Sequence, residues 1–242
     1  MTFTKALSVS ALFAAVGVAN AAITGVTWRQ VDNTVGAPGS DAFAGAVWNA
    51  MNQYTFDLIL LGDAGQRVNG INMGDANAPA ATPYFIQTNG ATFNHAFGGN
   101  VRSTAFEAAP GFNAIQYDTY VAMGDLAAAN ISFAGGVDLS TNGTSDQFMR
   151  ATWFTTSETV LNAQGEMRIM RVTVGYAQGF DPFTQGGFLG TSGVGAGDAS
   201  TIEIGLPGGA LQVVTVGNAF IPAPGAMALA GLAGLAGLRR RR

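Results

Sequence analysis

Tyr54-Thr55-Phe56-Asp57-Leu58-Ile59-Leu60 sets Tyr54, Phe56, Leu58 and Leu60 on one side of an extended chain, with Thr55 and Asp57 on the other. Side chains of a strand alternate between its faces, so an apolar period of two marks a strand with one buried face. The pattern returns on both sides of this stretch. Between Ile23 and Val31, apolar residues recur at Val26 and Trp28 after a turn at Gly25. Ile115, Tyr117, Thr119, Val121 and Met123 alternate with Gln116 and Asp118, and Arg168, Met170, Val172 and Val174 alternate with Ile169, Arg171 and Thr173. Leu211, Val213 and Thr215 close the set. Turn clusters such as Gly98-Gly99-Asn100, Thr141-Asn142-Gly143 and Gly186-Gly187 separate the runs, and 34 glycines in 242 residues are more than helices tolerate. The expected class is all-β, with a β-sandwich or jelly-roll-like body. Gly70 within Arg67 to Met73 reads as a bulge. One helix is expected, Asp41 to Asn52, capped by Ser40 and with Phe43, Ala46, Val47, Ala50 and Met51 along one face.

The two ends differ from this body. Lys5, the apolar run Ala6 to Val18 and the small-residue site Ala19-Asn20-Ala21 have the order of a secretory signal peptide over residues 1–21, which predicts a mature start at Ala22 after signal peptidase. A body of residues 22–219 is followed by a tail of residues 220–242. The tail carries Pro222-Ala223-Pro224-Gly225, then an apolar run with Ala-Gly-Leu three times in succession, then Arg239, Arg240, Arg241 and Arg242. The fourteen residues Gly225 to Leu238 would make a helix of roughly 21 Å, short of the hydrocarbon core of about 30 Å. In water such a helix is poor, because its glycines cost about 1 kcal/mol each relative to alanine and it has no polar face. A bilayer removes the second objection, and the arginines then stay on the cytoplasmic side as a stop-transfer cluster. Transient membrane association through a short C-terminal apolar helix is the expectation.

Helix breaker, small-residue apolar run and terminal arginines in this order resemble the C-terminal sorting signal of PEP-CTERM proteins. The resemblance implies recognition by a membrane-embedded exosortase, cleavage near Pro222-Ala223-Pro224-Gly225, and delivery to the cell surface or extracellular matrix of double-membraned bacteria. The glutamate usual between the prolines is Ala223 here, a Pro-Ala-Pro-Gly variant. In the body, Val31-Asp32-Asn33, Tyr54-Thr55-Phe56-Asp57-Leu58, Phe97-Gly98-Gly99-Asn100, Tyr117-Asp118-Thr119-Tyr120-Val121 and Arg171-Val172-Thr173-Val174 are similar to uncharacterised ectodomains carried by PEP-CTERM precursors. That likeness brings no activity with it.

Without both ends, six arginines face all fifteen acids, a net charge of −9. Nucleic acid as a partner is disfavoured, since its binding needs a basic surface. No cysteine is present, so neither disulfides nor thiolate metal sites contribute and stability rests on the core. Gly190 to Gly197 has the glycines of a phosphate loop but no following lysine, and reads as a connection. His95 is the only histidine, flanked by Phe93 and Phe97, and reads as a hydrogen-bonded structural residue. Asp138, Ser140, Asn142, Gly143 and Asp146 match positions 1, 3, 5, 6 and 9 of a calcium loop, while position 12 is Met149; calcium binding there is expected to be weak at best. The four glutamates Glu107, Glu158, Glu166 and Glu203 show no clustered strand motif of the kind that presents catalytic acids together. Trp28, Trp48 and Trp153 with sixteen phenylalanines are core residues for the most part, with a sugar-stacking platform open among them. The expected function is that of an exported surface or matrix protein, structural or associated with extracellular polysaccharide, with no cofactor. The alternative is a secreted polysaccharide-active hydrolase using a carboxylate pair.

Overall fold

The computed structural model describes residues 22–31, 41, 53–79, 84–88, 91–107, 109–141, 148–157, 159–175 and 201–217. The chain is all-β with antiparallel sheets. Among the described residues its strands are β1 (Ile23–Val31), β2 (Gln53–Gly62), β3 (Gly70–Asn72), β4 (Ile86–Gln87), β5 (Tyr120–Val121), β6 (Ser132–Phe133), β7 (Phe148–Met149), β8 (Thr152–Phe154), β9 (Glu166–Gly175), β10 (Thr201–Gly205) and β11 (Leu211–Thr215). A short helix, α1 (Thr104–Glu107), and single 3-10 turns lie between strands. One sheet has the order β1-β2-β9-β5, a second β11-β10-β3-β8-β6, and β4 pairs with β7 alone. The inner residues of all three meet in one core: Leu58, Leu60, Met170 and Val172 from the first, Ile71, Trp153 and Ile204 from the second, Ile86 and Met149 from the pair.

The three long strands are where the period of two is longest, because only an extended run can bury every second residue along its length. In β2, Phe56, Leu58 and Leu60 are all buried in that core. In β9 the phase changes part-way. The register slips between Leu58 and Ile59, which face Met170 and Arg168, so Ile169 is an extra residue with no partner of its own. Such a bulge reverses the inward side. Met167 and Ile169 are buried before it and Met170, Val172 and Val174 after it. Arg168, expected on the face of Met170, is therefore turned to the opposite side together with Arg171. Gly70, by contrast, is no bulge; it pairs in register with Phe154 and Gly205. A glycine there relieves a close approach: a Cβ would lie 3.0 Å from the Trp153 carbonyl oxygen and 3.1 Å from the Phe154 Cβ, tighter than ordinary contact.

Two further expectations are corrected. The stretch Ile115 to Met123 is not one strand: Asn113–Tyr117 is a 3-10 turn and only Tyr120–Val121 pairs. The Asp118 carboxylate, which accepts from the His95 and Thr119 amides at 2.8 and 3.0 Å, competes with ladder pairing and bends the chain at that point. In β11, Leu211 and Val213 face outward at 65% and 54% exposure, while Val214 and, just past the strand, Val216 enter the core. A strand shifted by one residue exchanges its faces, and pairing with β10 sets this phase. Of the expected helix, Asp41 alone is described and residues 42–52 lie outside the described residues, as do the signal segment 1–21 and the tail 218–242.

Candidate functional site

The outer face of the four-stranded sheet carries a transverse row. Arg29 pairs in register with Asp57, Asp57 with Arg171, and Arg171 with Tyr120, so four strands present cation, anion, cation and phenol side by side. Directly opposite residues on one face are close enough to interact. Arg171 grips Asp57 with two bonds, Nε to Oδ1 at 2.7 Å and Nη2 to Oδ2 at 2.8 Å, and its Nη1 donates to the Gln116 carbonyl at 2.7 Å. Burial pulls the Arg171 guanidinium down most strongly, but its bond to Asp57 and the charges of Tyr120 and Asp57 together outweigh this and hold its pKa above the ordinary arginine value. Because of the bulge, Arg168 joins the same face, with Nη1 3.8 Å from Asp57 Oδ2. Arg29 reaches along the sheet and donates from Nη2 to Glu166 Oε1 at 2.7 Å.

The Tyr120 ring lies beneath two cations, with the guanidinium carbons of Arg168 and Arg171 each 5.8 Å from its centroid. Burial pushes its hydroxyl pKa up, with Arg171 and Arg168 opposing. That hydroxyl and Arg168 Nε are buried without a hydrogen-bond partner. Arg102, just before α1, donates from Nε and Nη2 to both Glu107 oxygens at 2.8 and 2.7 Å, and this bond raises its pKa.

These residues border an open groove of about 380 Å³ lined by Arg29, Asp57, Arg102, Asp125, Glu166 and Arg168. Its walls alternate in sign. Asp57 and Glu166 are held by Arg171 and Arg29, whereas Asp125 is exposed and has no hydrogen bond or ion pair among the described residues. Arg102 is also a wall of two adjoining depressions, one of about 130 Å³ with Val121, Leu126 and Ile131, and one of about 300 Å³ with Phe97, Gly98 and Gly99. Mixed polar and apolar surface at this scale suits a polar ligand lying along the sheet.

Asp118 shapes the turn beside Arg102. Besides the two amides above, its Oδ2 accepts from Gly99 N at 3.2 Å, and a Cβ on Gly98 would collide with the carboxylate. Burial pushes Asp118 up to about 7, against the three amides, which favour the anion. A folded value above the ordinary one means that the folded chain takes the proton more readily than the unfolded chain. The associated stability is fully present below about pH 4 and is lost as pH rises through about 7. The difference in melting temperature between wild type and Asp118→Asn, which cannot ionise, should therefore change over this interval and be flat outside it. A constant difference across the interval would show that Asp118 does not titrate there.

Of the candidate site residues singled out from sequence, Glu166 lines the groove, and the others fall elsewhere or outside the described residues. His95 is buried; its amide donates to Asp118, its Nδ1 accepts from Phe97 N at 3.1 Å, and its Nε2 lies 3.4 Å from Asp41. Of the calcium loop, Asp138 Oδ1 accepts from Ser140 N at 2.9 Å, the bond of a tight turn, and the Asp138 backbone exchanges hydrogen bonds with Arg150. Asn142 and Asp146 lie outside the described residues. Among the described residues, no group of three or more acids and histidines gathers as metal ligands would. Of the glutamates, Glu107 and Glu166 are ion-paired, Glu203 accepts from Tyr84 and Asn72, and Glu158 is outside the described residues. Pro222, Ala223, Pro224, Gly225 and Arg239 to Arg242 are outside them too; no helix among the described residues is long and apolar enough to cross a membrane.

Sequence reading missed the arginines. Four of the body's six converge here, and the signal was present in Arg168-Ile169-Met170-Arg171: in an unbroken strand, residues three apart take opposite faces, so one of the two arginines would enter the core unless a bulge intervened. Comparison with protein families, curated proteins and solved structures finds no match to this chain.

Proposed function

We propose that the chain is an exported cell-surface or extracellular-matrix protein, a β-sandwich matured by signal peptidase and an exosortase-type protease, which associates with extracellular polysaccharide through the groove around Arg102. The sandwich reading is supported by the shared core of the two larger sheets. The observation that carries binding over catalysis is the state of the groove's acids. A glycosidase needs two carboxyl groups available to the sugar, one to protonate the leaving oxygen. Here Asp57 is locked by Arg171 on both oxygens and Glu166 by Arg29, so the groove offers fixed hydrogen-bonding groups in place of a free acid pair.

The export half rests on the tail. Fourteen apolar residues with regular glycines bury little side-chain area, which holds a substrate before an intramembrane enzyme but anchors weakly for life. Pro222 and Pro224 stop a helix from continuing upstream and leave an extended, cleavable chain at the membrane surface. The test is the mass of the protein recovered from the producing cell. A chain running from Ala22 to near Pro224 is expected; one still ending in Arg242 in the inner membrane would overturn the exosortase reading. A hydrolase is the second reading because Asp125 in the same groove is unpaired among the described residues and the bond from Arg29 engages only Oε1 of Glu166, leaving Oε2 outside it. Release of reducing ends from a matrix glycan, abolished by Asp125→Asn, would establish it.

A further inference from the structure

Two phenylalanines beside the groove face water. Phe97 is 45% and Phe106 37% exposed, and they do not stand singly. Their centroids are 6.0 Å apart, and Phe112 backs both at 5.4 and 5.1 Å, so that among the described residues three rings make a ledge over the buried His95. Scattered exposed apolar residues are ordinary, but a supported ring ledge opening onto a charged groove is a built feature. Phe97 lines the depression that also contains Ser103 and Arg102. Arg102 in turn lines the charged groove with Arg168, so a track from Phe97 past Arg102 to Arg168 crosses the two depressions that these residues line.

The two cations at the centre of that track have donors unengaged. Arg102 uses Nε and Nη2 on Glu107, leaving Nη1 without a hydrogen bond among the described residues. Arg168 makes no side-chain hydrogen bond among the described residues: its Nη1 lies 3.8 Å from Asp57, too long for one, and its Nε is enclosed, so a ligand would meet its Nη groups. The acids nearby are accounted for differently: Asp57 and Glu166 are already matched, and Asp125 alone is exposed and unmatched at the rim. A ligand that complements this arrangement has a planar oxyanion for the guanidinium groups and an adjoining apolar ring face for Phe97. A uronic acid residue joined to another sugar has both, since guanidinium matches carboxylate geometry and the C–H face of a pyranose packs on an aromatic ring.

We propose that the track from Phe97 past Arg102 to Arg168 binds acidic oligosaccharide, with a uronate carboxylate against the two arginines and the neighbouring sugar on the phenylalanine ledge. The proposal rests on the polysaccharide-associated reading and names the class of sugar. Asp125 opposes such a ligand, which keeps the affinity of a single site modest and strongly dependent on salt.

The experiment is calorimetric titration of the purified full chain with hexamers of galacturonic, glucuronic and mannuronic acid, each against its carboxyl-reduced counterpart and against inorganic sulfate. At least one uronate should bind on the order of tenfold more tightly than its reduced form, the scale of a charge-assisted hydrogen bond, and sulfate alone should bind more weakly than that uronate. Added salt should erode the difference. Arg168→Gln should lose on the order of tenfold for the uronate and leave the reduced form unchanged. Asp125→Asn, at an exposed position whose side chain makes no hydrogen bond among the described residues, should tighten uronate binding and serves if the Arg168 variant fails to fold. Equal binding of all three uronates and their reduced forms would overturn the acidic-sugar inference while leaving the polysaccharide reading in place. Absence of binding to every acidic and neutral oligomer would overturn both.

Discussion

Arg171→Met is expected to destabilise the protein by about 3 kcal/mol, the lower end of the cost of leaving a buried charge without its partner. Asp57 and Arg171 have side chains only 12% and 13% exposed, so the carboxylate left behind cannot recover its hydration. Arg168, 3.8 Å away, takes up part of the charge, which places the loss at the lower end. The same substitution frees the Gln116 carbonyl and with it the 3-10 turn that Arg171 ties to the sheet. Adding Asp57→Leu removes the stranded charge, and the double variant should regain most of the loss, because an apolar pair of similar size needs no compensation. Urea unfolding midpoints at constant slope measure the cycle. If the single variant loses under about 1 kcal/mol, the pair is a solvated surface contact and the row has no buried electrostatic component.

Trp153→Ala should cost more, about 3–5 kcal/mol, as expected for deleting a large buried aromatic side chain. Trp153 is 1% exposed in β8, and its Nε1 donates to the Ala122 carbonyl at 3.0 Å. Ala122 follows β5 and its amide donates to the Ile169 carbonyl, so this one side chain joins the five-stranded sheet to the four-stranded one. Trp153→Phe separates the two contributions. It keeps most of the apolar volume and loses the bond, at an expected cost of about 1–3 kcal/mol for the unsatisfied carbonyl. Thermal melts monitored by near-ultraviolet circular dichroism, with unfolding by denaturant, give both values. A phenylalanine variant as damaged as the alanine one would mean that the indole bond, and not the packing, joins the sheets.

The strands legible in sequence are those long enough for alternation to be counted. Ile23–Val31, the run through Tyr54 to Leu60 and most of Glu166–Gly175 fall where the apolar period places them. β3, β4, β6, β7 and β8 have two or three residues each, and no period exists in so short a run. Their pairing comes from neighbours distant in the chain. The charged site was hidden for a related reason: Arg29, Asp57, Tyr120 and Arg171 are scattered over some 140 positions and become neighbours only through strand register.

What the sequence by itself determined is the all-β class and the position of its long strands, since alternation follows from backbone geometry and needs no partner. Which face of each strand is covered was decided by tertiary structure alone. Leu211 and Val213 alternate as a core face would, yet they point to water because β10 holds β11 in the other phase. One extra residue, Ile169, turns Arg168 out of the core and onto the row with Arg171. The physical reason is the same in both cases: a period of two states which residues share a side, but a shift of a single residue exchanges the sides, and only pairing between strands fixes that shift.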